Sequence, residues 1–164
     1  MKITADQLLT LENWSPPVET PHRVRALVGE WVTPRELVEL ARGRRCTPPR
    51  ALCAVAYLAL DSDTARDVAV RVADGAAVSA GVHLYHSKFE RPSYSRTRVG
   101  GDMLTYPERL ALWESRHGED GRDALVLTVQ GLARDRPDLN GGLSDMHWDP
   151  CWWRALELAL EVIE

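Results

Sequence analysis

His83 and His86 stand three residues apart, and Asp145, His147, Asp149 and Cys151 follow one another through a second short stretch, SDMHWDPC. Imidazole, carboxylate and thiolate can all ligate zinc, and imidazole with carboxylate can hold iron or manganese. His83, His86, His147 and Asp149 are therefore the candidate ligands of a metal-dependent enzyme. The spacing follows neither a CxxC pair nor an HExxH helix. Asp149 has a sufficient plain role as N-cap of a helix starting at Pro150. Cys151 falls in that helix's first turn, where the positive helix end could lower its pKa, but packing beside Trp152 and Trp153 is the simpler role. A nucleophile elbow, a P-loop and a dinucleotide fingerprint are all absent from the sequence. The reading leans away from an enzyme, and no cofactor is expected.

A different chemistry gathers in the segment 83–102, HLYHSKFERPSYSRTRVGGD. Between His83 and Arg98 the cations are Lys88, Arg91, Arg96 and Arg98, against one acid, Glu90. The whole chain carries −4, so this stretch at +3 leaves −7 for the rest. Such separation creates a local positive potential on a repelling background. Tyr85, Phe89 and Tyr94 alternate with the cations. Arginine with aromatic rings suits a protein interface, or a single-stranded nucleic-acid site where bases stack on rings and cations follow phosphates. Four cations are few for a dedicated nucleic-acid protein, so a protein partner is the first reading. Lys88, Arg91, Tyr94, Arg96 and Arg98 are its candidate contacts. The plain alternative lays the segment over the chain's own acids, such as Glu108, Glu114, Glu119 and Asp120, where exposed pairs contribute only ~0–1 kcal/mol each.

Trp148 and Trp153 form a second candidate contact. Six tryptophans against one phenylalanine is a skewed aromatic set. Trp31 and Trp113 are expected to fill the core, and Trp152 belongs to an apolar stripe. Trp153 stands off that stripe and Trp148 precedes the helix, so either could anchor a partner or support self-association. The loop PDLNGGLSDMHW folding back over them is the alternative.

The elements that must position these groups are mostly helical. Proline suits a first helical turn, and a preceding Thr or Asp can cap it. That pattern recurs at TPHRVRAL, TPRELVEL, TPPRALCAV and DPCWWRAL, and more loosely at TYPERLAL. The irregular spacing marks punctuation of short helices, not a tandem repeat. Thr33 with Glu36 fits a capping box. The first helix is expected over Ala5 to Glu12. Helical spacing groups Ala65, Val68, Ala69, Val72 and Ala73 on one face, and Leu125, Val129, Leu132 and Ala133 on another. In the last helix Trp152, Leu156, Ala159 and Ile163 oppose Arg154, Glu157, Glu161 and Glu164. Gly43, Gly75 and Gly118 are expected as C′ residues closing their helices.

The exception is the insert spanning residues 78–104. Val82, Leu84 and His86 could form a strand paired with Tyr94 to Val99, making a β-hairpin. A helix from Ala76 to about Phe89 followed by a loop is the rival arrangement.

Length and composition agree with this picture. A chain of 164 residues that is 45% apolar and 27% charged has enough apolar material for one core, which makes disorder throughout a poor expectation. The expected fold is all-α: one domain over 1–164, a compact bundle of about seven short helices carrying the insert. Lys2 and Lys88 are the only lysines, a bias typical of a GC-rich bacterial genome, so an arginine is weak evidence of selected guanidinium chemistry. Three cysteines and an N-terminus without a secretory h-region point to reduced thiols and a cytoplasmic protein. The run ALCAVAYLAL is half a membrane span and reads as a buried helix. The expected function is a protein-interaction module, adaptor or regulator. The alternatives are the metal enzyme and single-stranded nucleic-acid binding; no membrane partner is expected.

Overall fold

The computed structural model describes residues 1–14, 21–79, 115, 120–133, 148 and 150–164. The described chain is all-α, with seven α-helices and one small ribbon. The helices are α1 (Ala5–Leu9), α2 (Pro21–Val28), α3 (Pro34–Arg42), α4 (Pro48–Ala59), α5 (Ser62–Ser79), α6 (Gly121–Ala133) and α7 (Pro150–Ile163). The ribbon pairs β1 (Ile3–Thr4) antiparallel with β2 (Trp31–Val32), Ile3 opposite Val32 and Thr4 opposite Trp31.

Each strand runs straight into a capped helix. Thr4 accepts from the Gln7 amide at 3.2 Å while the Gln7 side chain accepts from the Thr4 amide at 2.8 Å. Thr33 and Glu36 repeat the arrangement at 3.2 and 2.8 Å. Two orphan donors are satisfied at each helix start. Pro21, Pro34, Pro48 and Pro150 each open a helix, and Thr47 accepts from the Arg50 amide at 3.4 Å; the expected caps Thr20 and Asp149 lie outside the described residues.

α4 is the centre of the molecule. Ala51 through Ala56 are all buried, because α3, α6 and α7 surround this helix. A helix apolar on every side has no solvent face to keep. α5 and α6 make the most extensive helix pair. They begin side by side: the Gly121 amide donates to the Ser62 hydroxyl at 2.9 Å. A Cβ on Gly121 would lie 1.7 Å from the Ser62 carbonyl oxygen, so only glycine fits this approach. Trp14, in a 3-10 turn over Glu12–Trp14, is buried and donates to the Arg50 carbonyl at 3.0 Å, tying the N-terminal segment to α4.

Four local expectations change. The first helix ends at Leu9, and the 3-10 turn takes the chain from there to Trp14. Gly75 lies within α5, which continues to Ser79 because one glycine costs a helix interior only about 1 kcal/mol. Residues 78 and 79, expected within the insert, belong to this helix; the rest of the insert lies outside the described residues. Gly43 is the C-cap with φ −74°, and Arg44, one residue later, takes the left-handed conformation at φ 58°. Trp31 is not core: it is 41% exposed on the ribbon, with the Lys2 ammonium 3.9 Å from its ring centroid. A two-residue strand gives no alternation from which its facing could be read.

Candidate functional site

The start of α7 carries the sequence-derived candidates that the structure describes. Trp152 is buried, and Trp148 meets it edge-on, with ring centroids 6.5 Å apart and planes at 84°. Such a pair is a favourable quadrupole arrangement. Trp148 and Trp153 are half-buried and packed against the core. Cys151, in the same turn, is also half-buried. Lys88, Arg91, Tyr94, Arg96 and Arg98 lie outside the described residues, as do His83, His86, His147 and Asp149.

The outer face of α7 is held by arginines from two other helices. Arg35 of α3 clasps Glu164 through two nitrogens, its Nε donating to Oε1 at 2.7 Å. Arg42 of α3 lies 3.8 Å from Glu157 and 3.0 Å from Glu39. Arg71 of α5 meets Glu161 at 3.0 Å. Seven residues separate the two arginines of α3, and seven separate their partners on α7. The helices therefore run antiparallel in a fixed register. Arg35 draws Glu164 below the usual carboxylate range, chiefly by its hydrogen bond.

Arg44, Arg45 and Arg154 are all exposed. Among the described residues neither Arg45 nor Arg154 has an ion pair, whereas Arg25, Arg35, Arg42 and Arg71 each have one. The composition of Leu40–Leu60 already held the signal: four arginines and no acid, a higher net charge than segment 83–98. The cations stand close to glycine and proline punctuation, which reads first as a helix boundary.

Two of the described thiols are muted. Cys46 and Cys53 are buried, and burial pushes both thiols up to about 11. Cys53 also accepts from the Asn13 side chain at 3.0 Å. The Tyr57 hydroxyl donates to Asp123, and burial followed by that bond raises its pKa further. A thiol needs its thiolate to attack, so neither buried cysteine is poised for chemistry near neutrality. Among the described residues no three His, Cys, Asp or Glu side chains come together as a metal site. None of the described helices is long and apolar enough to cross a membrane. No protein-family model, curated protein or solved structure matches the chain.

Proposed function

We propose that the chain is a protein-interaction module, an adaptor or regulator that engages its partner through Lys88, Arg91, Tyr94, Arg96 and Arg98, with Trp148 and Trp153 as a second contact. The observation that carries this reading is the charge separation: +3 in residues 83–98 against −7 elsewhere, with aromatic residues interleaved among the cations. Arginine and aromatic side chains are enriched where interfaces concentrate binding energy. Trp148 and Trp153 support it, being only half-buried. The three cysteines are free, which suits a reducing, cytoplasmic setting.

The test uses the full chain as bait beside a variant carrying Arg91→Ala, Arg96→Ala and Arg98→Ala. A discrete protein retained by the wild type and lost from a variant with an unchanged circular dichroism spectrum and melting temperature supports the reading. Equal capture by both, or unfolding of the variant, overturns it. Stoichiometric zinc, iron or manganese in the purified protein would move the assignment to the metal enzyme.

A further inference from the structure

We infer that the N-terminal elements, from β1 through β2, form a strap latched to the central helix α4, and that the strap opens as a unit while the bundle stays folded, uncovering Cys53. The opening is independent of residues 83–98 and of the binding reading above. Three observations carry it.

The first is where the strap is fastened. Arg50 and Cys53 stand three residues apart on α4 and so share a face. Two consecutive residues of the 3-10 turn reach that face. Trp14 Nε1 donates to the Arg50 carbonyl at 3.0 Å, and Asn13 Nδ2 donates to Cys53 Sγ at 3.0 Å. The Arg50 guanidinium lies 5.9 Å from the centroid of the Trp14 ring, within reach of a cation–π attraction.

The second is how the rest of the strap is held. α1 and α2 pack on each other more extensively than either packs on α3 to α7, and β1 pairs with β2 inside the same unit. Among the described elements, the 3-10 turn makes the strap's most extensive contact with those later helices, and it makes it on α4. α1 has five residues and α2 eight. Helices this short, and a two-stranded ribbon, are marginal in water on their own. The strap therefore keeps its form through packing, and withdrawal of Trp14 releases its parts together.

The third is what lies beneath the latch. Cys53 is 6% exposed, yet Asn13, whose amide lies over the thiol, is itself an exposed residue. Lifting the turn thus opens a short path from solvent to the sulfur. Sulfur is a weak acceptor, so the Asn13 bond holds the latch only lightly and Trp14 is its main anchor. In the closed form burial pushes the thiol up to about 11. In the open form that cost disappears and the thiol returns toward the ordinary range, near ~8.5. The thiol is therefore a reporter that reads the latch directly.

The test is iodoacetamide labelling of the native full chain over a urea series, read at Cys53 by peptide mass mapping, with amide hydrogen exchange alongside. Cys53 is expected to label through an opening of lower free energy and smaller urea slope than the global unfolding followed by circular dichroism, because less surface is exposed. The amides of α1 and α2 should share that slope, and those of α5 and α6 should exchange only through global unfolding. Leu156→Ala, on the buried face of α7, should speed exchange of the α5 and α6 amides at least about tenfold. It should leave Cys53 labelling in the absence of urea unchanged. Trp14→Phe keeps a ring and removes the N–H, and should speed Cys53 labelling about fivefold. Cys53 labelling with the urea slope of global unfolding overturns the proposal. So does acceleration of that labelling by Leu156→Ala to the same degree as the α5 and α6 amides. Labelling of Cys53 while the α1 and α2 amides stay protected also overturns it, since Asn13 alone would then have moved. The urea series on the wild type decides the matter even if either variant fails to fold.

Discussion

Arg44 is a residue held in an unfavourable conformation by the hydrogen bonds around it. Its φ of 58° is natural for glycine and costly for a residue with a Cβ. Arg44→Gly should therefore stabilise the fold by about 0.5–1 kcal/mol, the relief of strain offset in part by glycine's greater freedom when unfolded. Chemical denaturation measures this directly; a loss of stability would mean that the arginine side chain contributes more than its backbone costs. Gly43 announced the end of α3 in the sequence, but not which residue would turn left-handed. That choice depends on where the Leu40 and Ala41 carbonyls find their partners, a matter of a single residue that propensity does not resolve. Trp31 is similar. Its ring could be assigned to the core by size alone, and only its exposure in the structure shows which side it faces.

At the scale of the element, two glycines in helices have opposite futures. Gly75 has open space where a Cβ would stand, and Gly121 has the Ser62 carbonyl. Gly75→Ala should raise stability by about 0.5–1 kcal/mol through helix propensity. Gly121→Ala should lower it by several kcal/mol, on the order of the costliest single substitutions, since α5 and α6 must part to admit the methyl. Melting of both variants by circular dichroism checks the pair, and equal effects would contradict the close approach. The helix starts were legible because capping is local: Thr, Pro and a Glu or Gln three residues on are enough. The ribbon was not, since two-residue strands carry no period. The two capping boxes also give a pH test. The Thr33 amide and hydroxyl hold Glu36 below the usual carboxylate range. Its contribution is present above its unfolded pKa, near ~4.3, and is lost as pH falls through the lower folded value. Glu36→Gln keeps the acceptor oxygen, as Gln7 does in α1, and removes the charge. The variant should melt slightly lower at neutral pH and lose less between about pH 5 and pH 2. Parallel curves for the two proteins would show that the Glu36 charge plays no part.

For the whole molecule, the question is what seats α7 against the rest. Its inner face buries Trp152, Ala155, Leu156, Leu158 and Ala159, and its outer face is clasped by Arg35, Arg42 and Arg71. The inner stripe was readable from helical spacing, but the clasps were not, because they join residues more than a hundred positions apart or reach across from α5. The two faces should differ in energy. The clasping side chains are about half exposed, and such pairs contribute ~0–1 kcal/mol each. Leu156 is fully buried, and truncation of such a leucine costs about 2–5 kcal/mol. Glu157→Gln, Glu161→Gln and Glu164→Gln together should therefore destabilise by less than Leu156→Ala alone, and raised salt should shrink the difference between the triple variant and the wild type. Urea denaturation at low and high salt decides it. If the triple variant proved the weaker protein, α7 would be held mainly by charge. The expected ordering means that burial holds α7 in place whether or not its outer charges are engaged.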